Sequence, residues 1–362
     1  MNWFEQNQKK TIFLVILFLF SVIFLIGEIY LKVFISYNPS YYVGMKQTQK
    51  SNVINYPYGK IIFNKYGFPD REFQEKKTKP RIAYIGDSIC YGVGVGYGYR
   101  ISEILQDKMP EFEHMNMALG VGEGIDYEKI NKTINNVKKF KIDKVIYLMN
   151  LNDVLLEKKS TKENTIRLFF KESLKTYDWV RGKSYLLTYI RFTLVNYGHK
   201  LGFKGGGYKA YELFPEQYEN IFLETTNRVV KLGNQLKSMG SELIVVVIPY
   251  EMQISYDAAK TYGQYGIKWS AGFMDMMPQR LIIEELKKDK VIAIDAFYAF
   301  IENGEWESSR RKNKLGEYFV YNKGDKLDWN HPNRDGQKKI ADFLFIKLKD
   351  RFLLVSDLEV GK

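Results

Sequence analysis

Cysteine and histidine are the scarce residues of this chain: of 362 residues, one is cysteine (Cys90) and three are histidine. A single thiol excludes an internal disulfide and a cysteine-built metal site, and leaves the redox compartment open. The chain also lacks the glycine patterns that hold nucleotides. In "GDSICYGVGVGYG", Gly86 to Gly98, no Lys-Ser or Lys-Thr follows at P-loop distance, and a dinucleotide fingerprint would need its third glycine where Tyr97 or Tyr99 stands. The α/β-hydrolase elbow G-x-S-x-G fails at Cys90. There is no internal repeat, no low-complexity tract, no zinc spacing and no basic run longer than "SRRKNK". The formal charge of +12 therefore reads as solubility and attraction to anionic surfaces, such as lipid headgroups or acidic glycans, and not as a nucleic-acid interface.

Long apolar runs are rare too, with one exception. "TIFLVILFLFSVIFLIG", Thr11 to Gly27, carries no charge until Glu28. At about 1.5 Å per residue it reaches roughly 25 Å, near the lower limit for spanning a hydrocarbon core. No small-x-small cleavage site follows, so residues 1–36 read as an uncleaved signal-anchor transmembrane helix. Lys9 and Lys10 before it favour a cytoplasmic N-terminus and an exported domain, periplasmic or extracellular. Residues 37–78 read as an extended juxtamembrane connector. It contains "NKYGFPDRE", Asn64 to Glu72, to which the sequence assigns no role.

From Arg81 onward, short apolar runs alternate with amphipathic ones. The strands predicted are Arg81–Gly86, Glu113–Met117, Lys144–Asn150, Glu242–Pro249 and Val291–Asp295. The helices predicted are Arg100–Lys108, Tyr127–Phe140, Tyr218–Met239 and Met277–Lys288. Such alternation points to an α/β fold with a mostly parallel sheet. A basic, aromatic stretch at about 157–235 reads as a helical insertion: a packed element, a lid, or a surface lying on the membrane.

Ser88 follows the first of these strands, where unpaired backbone N–H groups suit a tetrahedral oxyanion. A serine there is commonly only a helix cap, so a nucleophile needs partners. His114 and His199 read as surface or packing residues. His331 lies in "DWNHPNRDG", three residues after Asp328. A D-x-x-H turn brings a carboxylate to the imidazole Nδ1–H and leaves Nε2 to take a serine proton. "NMALGVGEG" places glycines after the second strand and "NLND" ends the third with Asn152. Ser88, the glycine loop and Asn152 all fall at the carboxyl ends of strands, where open α/β sheets bind ligands.

These four blocks, "GDSI", "NMALGVGEG", "NLND" and "DWNHPNRDG", resemble those of the SGNH hydrolase superfamily, the GDSL-type esterases and acyltransferases. The resemblance runs over residues 79–352, and the connector is similar to a segment of membrane-anchored bacterial members. It implies a three-layer α/β/α sandwich with a five-stranded, flavodoxin-like sheet. It implies Ser88 as nucleophile, His331 as base and Asp328 as its partner. The oxyanion hole would use the Ser88 N–H, Gly122 or Gly120, and the Asn152 side chain. Two positions depart from the pattern. Asn150 stands where a glycine is usual, narrowing the pocket, and the glycine position counted from Asn116 falls on Val121.

The activity expected is cleavage of short-chain acyl esters on a small molecule, glycan or lipid, through an acyl-enzyme and with no metal or organic cofactor. The alternatives are an O-acyltransferase acting on an envelope polysaccharide, and a silent glycan-binding protein on the same fold.

Overall fold

The computed structural model describes residues 6–34, 53–56, 59–118, 125–154, 184–200, 212–213, 219–264, 267–321 and 328–359. The first element is helix α1 (Gln8–Phe34). A hairpin of β1 (Val53–Tyr56) and β2 (Gly59–Ile62) follows, then β3 (Arg81–Gly86), the one-turn helix α2 (Ser88–Tyr91), α3 (Ile101–Lys108) and β4 (Glu113–Asn116). Next come α4 (Tyr127–Phe140), β5 (Lys144–Asn150), α5 (Tyr185–Lys200), β6 (Glu212–Leu213), α6 (Glu219–Ser238) and β7 (Glu242–Ile248). The chain continues with α7 (Glu251–Ile254), α8 (Tyr256–Gln264), β8 (Lys268–Trp269), α9 (Ala271–Met274) and α10 (Met277–Lys288). It closes with β9 (Ile292–Asp295), α11 (Trp306–Lys312) and α12 (Arg334–Glu359).

The chain divides into two compact units, one containing α1 and most of α5, the other the sheets and the remaining helices. In the first, α1 is long and apolar enough to cross a membrane. Its apolar side chains, Phe13, Leu17, Phe20 and Ile23 among them, are exposed. Glu28 is the acid that ends its apolar run. Its carboxylate accepts hydrogen bonds from Ser184 Oγ, from Tyr185 N at 2.8 Å and from Leu186 N at 3.1 Å. The two backbone N–H groups are donors that a helix leaves unpaired at its start, so Glu28 caps α5.

In the second unit, five strands form one parallel sheet in the order β4-β3-β5-β7-β9. Numbered along the chain that order is 2-1-3-4-5, a flavodoxin-like α/β fold whose topological switch lies between β3 and β5. "RIAYIG" and "KVIYLMN" are buried at every position, as strands covered on both faces must be. Helices α4, α6 and α10 pack side by side, and α12 packs on α3. Local chemistry sets the boundaries. Asp126 caps α4 by accepting from Lys129 N at 2.8 Å. Arg81 and Glu113 pair at 2.6 Å across the starts of β3 and β4.

The described residues of the stretch read as a connector, 53–56 and 59–78, fall in this unit. Tyr97 N donates to Lys60 O at 2.7 Å, tying the hairpin to the glycine loop after α2. Asn64 folds the "NKYGFPDRE" turn by accepting from Tyr66 N at 3.0 Å and Phe68 N at 3.1 Å. Phe68 and Phe73 then pack edge-on against Phe140.

Among the described residues, the start of α12 carries the tightest glycine position. A Cβ added to Gly336 would collide with the Tyr318 carbonyl oxygen. Gly336→Ala is therefore expected to destabilise the protein by about 3 kcal/mol, the upper end of overpacking costs, read as a lowered melting temperature.

Candidate active site

Strand β3 stops at Gly86, and Asp87 turns the chain into α2, its Oδ1 accepting from Ile89 N at 3.1 Å. Ser88 is the first residue of that helix and is buried. Its backbone N–H makes no hydrogen bond among the described residues. Ser88 Oγ lies 2.8 Å from His331 Nε2 and 3.1 Å from Asp87 Oδ2.

His331 comes from the other end of the chain. Its Nδ1 lies 2.7 Å from Asp328 Oδ2, while Asp328 Oδ1 accepts from His331 N at 3.2 Å and Asn330 N at 3.3 Å. Both residues are buried. With Nδ1–H given to Asp328, Nε2 presents a lone pair to the serine hydroxyl. Burial by itself drives the imidazole toward its neutral form. The charge of Asp328, its hydrogen bond and the charge of Asp87 outweigh burial, and the His331 pKa ends above its usual 6.5.

The histidine turn is clamped from outside. Val320 N donates to His331 O and Asn333 N to Tyr318 O, both at 2.9 Å. Asn333 Nδ2 reaches the carbonyls of Gly316, Glu317 and Phe319. The glycine loop after α2 leans on the same turn. Gly94 has φ +96°, and a Cβ there would sit 2.8 Å from Val320 Cγ2 and 3.6 Å from His331 Cβ. Close approach to the histidine turn is thus what this glycine permits.

Asn152 stands on the facing rim. Gly86 pairs in register with Leu148, so Ser88 and Asn152 leave the two strands that border the switch crevice. Asn152 Oδ1 is buried and has no hydrogen-bond partner among the described residues. Asn150, where the family pattern has glycine, is fully buried. Its Oδ1 accepts from Asn152 N at 3.4 Å, and its amide approaches Asp87 Oδ2 at 3.4 Å. It braces the rim. Asp153, accepting from Tyr147 Oη at 2.8 Å, is pushed well above the usual carboxylate range by burial. Gly120 and Gly122 lie outside the described residues.

Ser88, Asp328 and His331 thus meet, with Asn152 across the rim. His114 is buried, bonded through Nδ1 to Tyr84 Oη at 2.6 Å, and burial lowers its pKa to about 3. Among the described residues no group of three or more His, Cys, Asp or Glu is placed to hold a metal ion.

Other supports carried no motif. Asn116 donates to Cys90 O at 2.8 Å and Ser102 Oγ at 3.1 Å, holding the end of α2. Asp70, inside "NKYGFPDRE", accepts from Asn116 N at 2.6 Å and faces Arg100. Glu251 stands three residues past the end of β7 and lies behind Asp328. The only available sequence signal for it is an acid on the carboxyl rim of a strand.

No family model and no curated protein matches this sequence. Solved structures do align with it. One is a catalytic mutant of Axe2, an acetylxylan esterase from Geobacillus stearothermophilus, at 15% identity and TM-score 0.40, covering 76% of this chain and 96% of that one. An acetyl xylan esterase, AlAXEase, aligns at 13% identity and TM-score 0.39, over 74% and 99%. TesA aligns at 10% identity and TM-score 0.40, over 75% and 98%. Likenesses of that size carry no functional argument, which rests on the residues of the rim.

Proposed function

We propose that this protein is a membrane-anchored serine esterase of the SGNH type. The observation that carries the reading is the run of contacts from Ser88 Oγ to His331 Nε2 and from His331 Nδ1 to Asp328, 2.8 and 2.7 Å long. Ser88 Oγ attacks the ester carbonyl as its proton passes to His331 Nε2. The oxyanion formed meets the Ser88 N–H and the Asn152 amide, with Gly122 or Gly120 as third donor. His331 then protonates the departing alkoxide, leaving an acyl-Ser88. Water, deprotonated by His331, releases the acid and restores the serine. Asp328 fixes the tautomer and stabilises the imidazolium. α1 serves as the anchor, with Lys9 and Lys10 on the cytoplasmic side.

The acyl-enzyme reacts equally with a sugar hydroxyl in place of water, so the acceptor defines the reaction. Incubating the full-length protein with a short-chain acyl donor, with and without an envelope polysaccharide, tests this. Free acid that forms at the same rate in both supports the esterase; acylated glycan formed at its expense supports transfer. Absence of both, under conditions where the protein is folded, sinks the enzymatic reading.

The reaction needs neutral His331. Because its pKa is raised, the rate is expected to climb with pH through a midpoint above 6.5. Asp328→Asn removes the largest influence raising it, so the residual activity should show a lower midpoint in a pH–rate profile.

A further inference from the structure

Behind the aspartate–histidine turn lies a second acid that the mechanism above does not use. Glu251, the first residue of α7, is buried. Its Oε1 accepts from Gly316 N, and its backbone N donates to Trp329 O at 2.8 Å. Its Oε2 lies in close hydrogen-bond contact with Tyr262 Oη of α8. Tyr262 Oη in turn lies 3.0 Å from the backbone carbonyl oxygen of Asp328.

A phenol carries one proton, and here it faces two oxygens. The Asp328 carbonyl can only accept. If Glu251 were a carboxylate, it too could only accept, and Tyr262 would serve one of them. Both bonds form together when Glu251 carries a proton of its own, donates it to Tyr262 Oη, and leaves the phenol proton for Asp328 O. We infer that Glu251 is held as a neutral carboxylic acid and, through Tyr262, acts as a positioning residue for the turn that carries Asp328 and His331. This inference rests on the serine-esterase reading of the site.

The surroundings favour the neutral acid. Among the described residues, the titratable groups acting on Glu251 are Tyr262 and Asp257 of α8 and Asp328 of the turn, with Tyr321 acting on Tyr262, and none of these is basic. Burial raises Glu251 to about 8, against the lowering effect of Tyr262 and Gly316. Tyr262 itself is pushed well above the usual phenol range, first by burial. Ionising Glu251 would draw the Tyr262 proton away from the Asp328 carbonyl and set a second anion behind Asp328. Gly316, held by Glu251, is also one of the residues whose carbonyl binds Asn333 Nδ2. One side chain thus touches both supports of the histidine turn.

The test uses full-length protein in detergent micelles and the rate of covalent labelling by a fluorophosphonate, corrected against Ser88→Ala, from about pH 5 to about pH 10. The wild type is expected to lose at least about threefold in rate across an alkaline transition near pH 8. Glu251→Gln keeps a donor toward Tyr262 Oη at every pH. It is expected to retain most of the neutral-pH rate and to lack the alkaline transition. Tyr262→Phe breaks the link and is expected to slow labelling about ten- to a hundredfold.

A second measurement reads the proton without activity. The folded pKa lies above the ordinary 4.5, so rising pH favours unfolding of the wild type between about 4.5 and about 8 and no further. The melting temperature of Glu251→Gln minus that of the wild type is therefore expected to grow across that window and then level off. An alkaline transition in Glu251→Gln equal to that of the wild type, or a melting difference that is flat with pH, overturns the inference. Absence of Ser88-dependent labelling in every variant instead removes the esterase reading and the positioning role with it, while the melting comparison still decides where the proton sits.

Discussion

Ser88→Ala is expected to lower turnover of a short-chain aryl ester by about 10⁴- to 10⁶-fold, with His331→Gln falling to the same floor. The two losses should not add, because nucleophile and base act as one unit through their 2.8 Å contact. The neighbouring thiol does not offer a substitute: Cys90 is buried on the same helix, and burial pushes it far above the range of a reactive cysteine. Asp87 does not offer one either. Its Oδ1 is engaged with Ile89 N, and its Oδ2 lies beside Ser88 Oγ and the Asn150 amide. Initial rates on full-length protein, with circular dichroism as a control for folding, check the prediction. A Ser88→Ala protein that keeps a tenth of the wild-type rate would place the chemistry elsewhere.

The second large effect concerns stability. Arg100 is fully buried. It bonds Glu103 through Nε at 2.8 and 3.0 Å, donates to Pro69 O, and lies 3.9 Å from Asp70. Its aliphatic stem passes under Gly92, where a Cβ would come within 2.9 Å of its Cγ. Arg100→Ala removes this fill from beneath the loop that follows Ser88 and strips Asp70 of its cation. The expected cost is about 3–5 kcal/mol, that of breaking a buried pair from one side.

Asp70 gives the loss a pH signature. Burial already raises it to about 6 from 3.8, despite Arg100 pulling it down. Without Arg100 the neutral acid is favoured further, so the deficit is expected to be smaller near pH 5 than near pH 8. Asp70→Asn in the Arg100→Ala background should recover part of the stability. Thermal melts of wild type, Arg100→Ala and the double variant at both pH values measure the loss, its pH dependence and the recovery, and a pH-independent deficit with no recovery would contradict the assigned pairing.

Much of this was legible in the sequence because it follows local rules. The sheet strands come from apolar runs covered on both faces, and β3 and β5 match the predicted Arg81–Gly86 and Lys144–Asn150 to the residue. Helices α4 and α10 likewise match Tyr127–Phe140 and Met277–Lys288, because Asp126 and Pro278 mark their starts. Ser88, Asp328, His331 and Asn152 stand out in the sequence because the proposed chemistry demands particular residue types at strand ends and turns.

The supports were not legible, for a physical reason. Asp70 matters through Asn116 N and Arg100, and Glu251 through Tyr262 and a carbonyl 77 positions on. Such roles depend on distances between segments, and no period or spacing encodes them. The glycine loop is similar. Its glycines looked like turn formers, yet Gly94 also lets the loop close on the histidine turn, which only the folded chain reveals. Asn150 reads in the sequence as a side chain narrowing the pocket, and its amide also approaches Asp87 Oδ2, a contact that no spacing encodes.

In the proposed reaction Ser88 carries the acyl group. Intact-protein mass spectrometry of the full-length chain, quenched soon after mixing with a short-chain activated ester, tests it most directly. The expected result is a single acyl adduct that maps to the peptide containing Ser88, is lost on further incubation, and is absent from Ser88→Ala and His331→Gln. An adduct on another residue, or one that forms equally in Ser88→Ala, would contradict the account.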